Sequence, residues 1–418
     1  MAVVRWRGDA PAIPQVGTLT PGGTVEADDL FIVTINGKSV SVEAGGTTVA
    51  DVTAALAAAL EASEIPEFVE ITWEDTTTEV TYTGPTDGTP VTITVSTTEA
   101  GGGAADSQTF AESTVTTAEG PNHWDVGANW SGGSVPANSD DVYIEDSEVD
   151  ILYGLDQNSV TLTSLNIGMN FTGTIGLPYR NENDYIEYRD RYLKVKATTV
   201  NVGYGVGQGS NLINLDQSTV QTTVNVNGSA SSFSQNRPTI QWKGTHASNV
   251  VNLSKGSFGA AVEPGETATI STLTVGYTDN IAGDVDATIG SGVTLTTVNK
   301  SGGDLVLNCG ATTVTQTAGT LTVQAGAFTT VNVQGGSCYY NSTGTLTTAN
   351  VTGNGILDFS KDMRSKTITN AINIFGNQSQ LNDPFKVTGS VVLDLEQRST
   401  LDGLVLGTNV RLTRGTPS

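Results

Sequence analysis

The sequence predicts a mainly β fold, in which a small N-terminal α+β domain precedes a parallel β-helix, also called a β-solenoid. Three observations support this prediction. The 418 residues are rich in Thr, Val and Gly, and these residue types favour strands and turns. Short Thr/Val/Leu strands separated by Gly, Asn and Ser recur from about residue 158 onward. One convincing helix pattern occurs, and it lies near the N-terminus.

The clearest internal repeat lies between residues 296 and 359. Thr-Thr-Val triplets begin at Thr296, Thr312 and Thr329, and Thr-Thr-Ala begins at Thr347, so the period is 16 to 18 residues. A repeat this short cannot bury its own apolar face, whereas stacked neighbours make a continuous core. Each repeat therefore fits one coil of a solenoid, with Thr ladders outside and Val and Leu inside. A sandwich of hairpins is the competing arrangement.

Composition and charge divide the chain into five segments. Residues 1–120 hold 3 basic and 18 acidic side chains, and the remainder holds 16 and 25. Gly and small polar residues around position 100 indicate a linker. We predict an N-terminal arm (1–23), a small α+β domain (24–97), a Gly-rich linker (98–120), a β-helix cap (121–157) and a solenoid with coils of 16–18 residues (158–418).

The small domain carries local signals for each of its elements. Asn36-Gly37 is a strong hairpin signal. Val and Leu recur at helical spacing over residues 49–62, after Thr48, which can cap the helix. Together the signals predict a hairpin, one helix and a three-stranded meander. The strands are predicted at 30–35, 39–42, 69–73, 79–83 and 91–95.

A distinctive motif precedes the repeats. Residues 122–146 read NHWDVGANWSGGSVPANSDDVYIED. Trp124 and Trp130 are large apolar side chains that could close the open end of a solenoid, whose first coil has no neighbour. Pro136 turns the chain, and Asp140 precedes a strand and is expected to cap a turn. We predict that these four residues form a structural cap.

This motif resembles the opening of many β-helical surface and phage proteins, in which a W…NWSGG…P…D pattern caps the first coil. Residues 24–97 also resemble small domains of phage structural proteins, through TINGKSV and LAAAL. The resemblance implies a right-handed solenoid in a bacteriophage virion protein of the head-decoration, head-fibre or tail-fibre type. It also implies a homotrimer, attached through its N-terminal part to virion proteins such as the major capsid protein.

Two other functions stay open beside the structural one. The first is a tail-fibre or surface adhesin that binds host glycans, and the second is a polysaccharide-degrading β-helix. We do not expect an enzyme, a metal or a cofactor, because His123 and His246 lack a nucleophile motif and Cys309 and Cys338 lack zinc-site spacing. The two cysteines are expected to be buried free thiols.

The net charge of −24 argues against binding to nucleic acid or to an anionic membrane surface. No run of about 18 apolar residues predicts a transmembrane helix. The first residues are polar and do not form a signal peptide. We therefore expect a virion protein that assembles in the host cytoplasm.

Two stretches are candidate partner contacts. Near the N-terminus, Arg5, Trp6 and Arg7 place an aromatic ring between two cations, which could anchor the arm on a partner. Residues 180–191 combine four acidic, three Arg and two Tyr side chains in an otherwise uncharged region. The alternatives for this second stretch are a solvated loop and a glycan site. Its predicted contact residues are Tyr185, Tyr188, Arg189 and Arg191.

A third charged stretch, residues 360–366, is basic in an acidic protein. It could meet the acidic N-terminal domain of a neighbouring copy, or it could be a solvated turn. The sequence does not rank these two interpretations.

Overall fold

The computed structural model describes residues 2–99, 107–230, 237–276, 285–388, 392–397, 399–406 and 411–414. The first elements are β1 (Val3–Arg5), β2 (Val16–Gly22), β3 (Leu30–Ile35), β4 (Lys38–Glu43), α1 (Val49–Glu61), α2 (Pro66–Val69), β5 (Thr72–Asp75), β6 (Val80–Thr83), β7 (Thr94–Thr98) and β8 (Thr109–Thr116).

A short 3-10 turn at Gly127–Asn129 precedes a long series of strands. These are β9 (Asp141–Ile144), β10 (Asp156–Gly168), β11 (Lys194–Tyr204), β12 (Ile213–Asp216), β13 (Thr223–Val226), β14 (Ile240–Lys243), β15 (Val250–Leu253), β16 (Gly256–Ala260), β17 (Ala268–Val275), β18 (Val285–Ile289), β19 (Val293–Lys300), β20 (Asp304–Leu307), β21 (Ala311–Gln316), β22 (Thr320–Val323), β23 (Phe328–Val333), β24 (Ser337–Tyr340), β25 (Thr345–Val351), β26 (Ile356–Asp358), β27 (Thr367–Phe375), β28 (Gln380–Asn382), β29 (Val392–Glu396), β30 (Leu404–Val405) and β31 (Arg411–Arg414).

Two long parallel sheets dominate the protein, as the predicted β-solenoid requires. The first sheet has 14 strands in the order β1-β9-β10-β11-β13 and then every second strand to β31, and the second has 10, from β12 through every second strand to β30. From β12 onward, successive coils therefore contribute one strand to each sheet. All described strand pairs in both sheets are parallel, so the alternative of stacked hairpins is wrong for them.

The core consists of columns of side chains that stack from coil to coil. One column of the first sheet begins at Val142, and its members are fully buried. Because the strands pair in register, equivalent positions repeat at the spacing of about 4.8 Å between neighbouring strands. The column continues through Leu165, Val200, Val224, Val251, Leu273, Val298, Val314, Val331, Ala349, Ile372 and Leu393.

An asparagine ladder runs along the outer side of the first sheet. Asn201 donates from its side-chain amide to Asn166 Oδ1 at 2.8 Å, and Asn225 donates to Asn201 at 2.9 Å. Asn252 continues the series at 3.0 Å, and further bonds link Asn350 and Asn373. The predicted Thr ladder lies two residues before the asparagine position in each strand, where Thr297, Thr313 and Thr330 are in register. It is not continuous, because Val and Ala occupy this position in other strands.

The N-terminal strand β1 belongs to the solenoid. Val3, Val4 and Arg5 pair in parallel with Asp141, Val142 and Tyr143 of β9. Residues 14–118 hold β2 to β8 and both helices. In the chain they are therefore inserted between β1 and β9, which are neighbouring strands of the first sheet. We call them the inserted unit. Ile13 and Glu119 exchange two backbone hydrogen bonds where the chain enters and leaves it.

The inserted unit contains two small antiparallel sheets, ordered β5-β6-β2-β8 and β4-β3-β7, and helix α1 packs on them. Thr48 caps α1 as predicted, with Thr48 and Asp51 forming a capping box. The predicted meander is wrong, because β7 pairs with β3 instead of β6. Strand β6 already pairs with β5 on one edge and with β2 on the other, so β7 pairs with the edge of β3 that β4 leaves open.

Two segments predicted as an arm and a linker contain paired strands. The segment 1–23 includes β1 and β2, and the described part of 98–120 includes β8, which pairs with β2 over its full length. Residues 100–106 of the predicted linker lie outside the described residues. The Gly-rich composition around position 100 obscured the Thr/Val strand that follows it.

Candidate functional site at the junction of the inserted unit and the solenoid

The predicted cap closes the N-terminal end of the core. Trp124 and Trp130 are each 1% exposed, and their rings meet edge to face at 4.6 Å. Trp6 packs against Trp130 at 5.0 Å, and its indole N–H donates to the backbone carbonyl of Val149. Three indoles packed edge to face thus cover the first coil. Trp6 is buried in this cap, so the predicted contact of Trp6 with a partner is wrong.

The other cap residues act at the turn before β9. Pro136 is buried, and Asp140 accepts hydrogen bonds from the backbone N–H groups of Ala137 and Ala2, each at 3.0 Å. These two bonds lower the pKa of Asp140, because they stabilise its carboxylate. Asp140 therefore caps the turn as predicted, and it also holds the N-terminal strand.

The flanking arginines of the N-terminal stretch have different surroundings. Arg5 forms an ion pair with Glu145 and lies 4.8 Å above the ring of Tyr143. Arg7 is exposed, beside a surface cleft that Asp9 also lines. Arg5 thus contacts its own chain, whereas a partner contact by Arg7 stays a prediction.

The charged stretch 180–191 joins the solenoid to the inserted unit. It belongs to the long connection between β10 and β11, residues 169–193, and we call the part from 177 to 193 the junction loop. Arg189 is its centre: the guanidinium donates to Glu70 at 3.1 Å, to the Pro90 carbonyl at 2.7 Å and to Glu187 at 3.3 Å. Glu70 and Pro90 belong to the inserted unit, so one arginine links the two parts of the chain.

Two tyrosines of the junction loop support this contact. Tyr185 is 7% exposed and donates its hydroxyl to Glu70 at 2.9 Å. Burial and this bond to a carboxylate raise the pKa of Tyr185 above its usual range. Arg189 lies 4.7 Å above the ring of Tyr188, and burial raises the pKa of Tyr188 to about 12. The predicted partner contact of Tyr185, Tyr188 and Arg189 is therefore corrected to a contact within the chain.

Arg191, the fourth predicted contact residue, also belongs to the junction loop, and its ring contacts are with tyrosines of the same loop. Its guanidinium stands 5.0 Å from the ring centre of Tyr179 and 5.7 Å from that of Tyr192. The guanidinium of Arg237 also lies over the ring of Tyr179, 4.3 Å from its centre. Arg191 is half-buried in this cluster, which stabilises the junction loop against the second sheet.

His123 adds a second link between the two parts. Its Nε2 lies 2.8 Å from the carbonyl oxygen of Gly88 in the inserted unit, and its side chain is 4% exposed. Tyr153 packs beside the imidazole at 5.2 Å and bonds to Thr89 at 2.9 Å. His123 thus has the structural role that the sequence predicts. The other histidine, His246, accepts from the backbone N–H of Ser248 in a surface turn.

A cleft of about 460 Å³ opens between the inserted unit and the junction loop. Its apolar side is formed by Pro85, Leu152, Leu177, Pro178 and Leu212. Its polar side carries acidic and amide groups together with a single arginine, so the cleft is electronegative. The polar lining residues are Glu70, Asp87, Thr89, Asp150, Tyr153, Thr174, Asn181, Glu182, Asn183, Glu187 and Arg189.

The cleft brings residues of the predicted charged stretch together with residues from distant parts of the chain. Glu182 and Glu187 belong to the predicted cluster, whereas Glu70, Asp87 and Asp150 come from other parts of the chain. Glu187 forms an ion pair with Arg189, whereas Glu182 is exposed to solvent. An apolar floor with carboxylate and amide acceptors suits a neutral polyhydroxyl ligand or a cationic group.

Comparisons with protein-family models, curated proteins and solved structures give no match for this chain. In the described parts of the chain, no three His, Cys, Asp or Glu side chains are grouped closely enough to hold a metal ion. None of the helices in these parts is both long and apolar enough to span a membrane. Both cysteines are buried free thiols, as the sequence predicts.

Proposed function

We propose that this protein is a structural component of a bacteriophage virion, either a capsid-decoration protein or a fibre, that projects a right-handed β-helix. The observation that carries the proposal is the continuous in-register stacking of 14 parallel strands. At about 4.8 Å per strand, this stack forms a rod about 62 Å long. Its closed N-terminal end and its ladders suit a stiff projecting part.

The inserted unit is proposed as the attachment domain. It holds one basic and 16 acidic side chains, so it offers an acidic surface to virion partners such as the major capsid protein. Arg189 and His123 fix it to the solenoid, so the rod would project at a fixed angle from the attachment point. In this proposal the protein assembles in the host cytoplasm and ends in the virion.

Immunogold labelling of purified particles tests the proposal. Antibodies against the recombinant chain should label heads or tails of particles from cells that make the protein, and the label also distinguishes these two locations. Pre-immune serum is the control. The proposal would be overturned if the particles bind no antibody and yield no peptides of this chain by mass spectrometry, while the unassembled lysate gives both signals.

The trimer that the resemblance implies is a separate expectation. Sedimentation equilibrium measures it directly, since three copies have three times the chain mass of 43.3 kDa.

The cleft favours host-glycan binding as a second candidate function. Its volume of about 460 Å³ lies in the range of small-ligand sites, and Glu182, Asn181 and Asn183 provide acceptors and donors at its edge. A glycan array should then give signals that Glu182→Ala and Asn181→Ala remove. Glu61→Ala, an exposed acidic position outside the cleft, is the matched control. Release of reducing ends from a bound capsule would instead favour the polysaccharide-degrading alternative.

A further inference from the structure

We propose that the inserted unit binds one Ca²⁺ ion at the end of the sheet β4-β3-β7. The ligands are Asp29, Thr97 and Glu99, which we call the oxygen cluster. The sequence predicts no metal, because these ligands come from two strands that lie far apart in the chain. The inference concerns a site within the chain and does not depend on the proposed virion function.

The three ligands share the core-facing side of this sheet. Strands β3 and β7 are antiparallel, and Phe31 lies opposite Thr97. Continuing this register by two residues brings Asp29 opposite Glu99, just beyond the last paired position. Because side chains alternate between the two faces of a strand, Asp29 and Glu99 point to the same side as Phe31. Phe31 is fully buried, so this side faces the core of the inserted unit.

The oxygen atoms of the cluster are buried without hydrogen-bond partners among the described residues. Asp29 is 0% exposed; its Oδ2 accepts from the backbone N–H of Glu26 at 2.7 Å, whereas its Oδ1 has no partner. The Thr97 hydroxyl and both carboxylate oxygens of Glu99 are also shielded from solvent, and they also lack a partner. Four oxygen atoms on one side of the sheet are therefore left to bind a ligand.

The inserted unit has no positive charge that neutralises the cluster. Lys38 is its one basic residue, and Lys38 pairs with Glu67. Lys38 lies opposite Ile35, at the hairpin end of β3. Asp29 is six residues from Ile35, which corresponds to about 20 Å along the strand. Within the described parts of the chain, Asp29 and Glu99 form no ion pair.

Two buried carboxylates need a counter-charge. An ionised carboxylate is stable away from water only when it is paired or coordinates a metal. A divalent cation carries the two positive charges that Asp29 and Glu99 require, and it also engages the Thr97 hydroxyl. A proton shared between the two carboxylates neutralises one charge and leaves that hydroxyl without a partner.

The chemistry of the ligands favours Ca²⁺ over other divalent cations. All four atoms are oxygens, whereas Zn²⁺ favours the nitrogen of His and the sulfur of Cys. Mg²⁺ dehydrates reluctantly and keeps several waters, so a site shielded from solvent suits Ca²⁺ better. Ca²⁺ takes about six to eight oxygens, and backbone carbonyls and retained waters complete the set. The cluster holds two acidic side chains, in agreement with the finding that no three are grouped in the described parts of the chain.

The bound ion joins two strands where their backbone pairing ends. In the order β4-β3-β7, strand β7 is at the edge of the sheet. Thr97 and Glu99 lie at the end of β7, and Asp29 directly precedes β3. We therefore expect Ca²⁺ to stabilise the inserted unit and to leave the solenoid unchanged.

Calorimetric titration of the chelator-treated full chain with CaCl₂ tests the site. Salt at about 0.15 M screens weak binding to the acidic surface. We expect one Ca²⁺ per chain, with a dissociation constant of about 10⁻⁴ M or lower, and about tenfold weaker binding of MgCl₂. Asp29→Asn and Glu99→Gln should each raise the constant for Ca²⁺ about tenfold or more, because affinity depends on ligand charge. The matched control is Glu43→Gln, an exposed carboxylate on the other side of the same sheet, which should leave the constant unchanged.

Thermal unfolding separates a metal site from a purely structural role. Asp29→Asn and Glu99→Gln each remove a buried charge that has no partner when the ion is absent. In chelator both variants should therefore melt at or above the wild type, and Ca²⁺ should raise the melting temperature of the wild type and Glu43→Gln only. Thr97→Val keeps both charges and should weaken Ca²⁺ binding less than the other two variants. Amide exchange should slow with Ca²⁺ in peptides that cover residues 26–33 and 93–99, and not in residues 311–340.

Four outcomes would overturn the inference. The first is a full chain that neither binds Ca²⁺ nor changes its melting temperature with it. The second is Ca²⁺ binding that both charge-removing variants retain, which places the ion elsewhere on this acidic chain. The third is a lower melting temperature of these variants in chelator, and the fourth is Mg²⁺ binding as tight as that of Ca²⁺. None of them bears on whether the chain is found on virions, so failure here is distinct from failure of the proposed function.

Discussion

Replacing Arg189 by Ala should release the inserted unit from the solenoid. The Arg189 side chain is 9% exposed, and its partners Glu70 and Glu187 are 19% and 2% exposed. Its removal leaves two largely buried carboxylates without their cation. Breaking a fully buried ion pair costs about 3–5 kcal/mol. Because Glu70 keeps some contact with water, we expect a local cost of about 2–3 kcal/mol.

Amide hydrogen exchange measures this release directly. A loss of about 2–3 kcal/mol of local stability corresponds to exchange about 30- to 150-fold faster. The increase should be confined to peptides that cover Glu70 and the junction loop. Peptides from residues 311–340, in the middle of the solenoid, are the internal control.

Two further variants sharpen the assignment. Arg180 lies in the same loop but is 46% exposed and pairs with the exposed Asp184, so Arg180→Ala should change exchange by less than about threefold. Glu70→Gln should add little once Arg189 is gone, because the interaction they share is already lost. Exchange in Arg189→Ala within threefold of the wild type would refute the reasoning.

Three other outcomes are expected. Asn225→Ala removes two bonds of the asparagine ladder and should lower the free energy of unfolding in urea by about 1–2 kcal/mol. The hydrogen bond from Arg364 lowers the pKa of Asp362, so this carboxylate stabilises the fold above the ordinary Asp pKa of about 4 and stops doing so as the pH falls. The difference in melting temperature between wild type and Asp362→Asn should therefore stay constant from pH 7 to about pH 5 and shrink from about pH 4 to pH 2.5, where the unfolded chain takes up the proton. Burial raises the pKa of Cys338 to about 12, so iodoacetamide should modify it only after unfolding, as mass spectrometry would show.

The repeated coils were predictable because their chemistry is local. The Thr-Thr-Val triplets specify which side chains point inward from Val298 to Ala349, and stacking follows from the inability of each coil to bury itself alone. Neighbouring column residues are 16 to 18 apart there but 22 to 27 apart between Val224 and Val298, so coils of the predicted length are confined to the first of these parts. The local pattern does not predict the positions at which a charged residue takes the place of an apolar one in the core. Lys300 occupies a core position of β19 and donates from Nζ to the carbonyl oxygens of Gly302, Gly303 and Ala318. Those backbone acceptors exist only once the turns have formed.

The junction was predictable only in part. The charge density of residues 180–191 identified them as a contact, but their partners Glu70 and Pro90 lie about a hundred residues earlier. Nothing in the spacing of an isolated Glu indicates which arginine it will meet. The same reason explains why the sequence predicts an arm over residues 1–23 and not the strand β1: three residues carry no repeat signal, and only their pairing with β9 makes them part of the sheet.

The position of the inserted unit has a consequence for the order of folding. Ala2 and Asp140 are hydrogen-bonded across 138 residues of sequence, so the first strand pair closes a very long loop. For a flexible chain of that length, closure costs about 4–5 kcal/mol in entropy. Prior folding of residues 14–118 brings Ile13 and Glu119 together and shortens the loop to about 33 residues, which lowers the cost by about 1 kcal/mol, because closure entropy grows only with the logarithm of loop length. The inserted unit therefore acts as an internal scaffold for nucleation, and a destabilised unit would slow the closure of the solenoid end even though all the coils beyond it are intact.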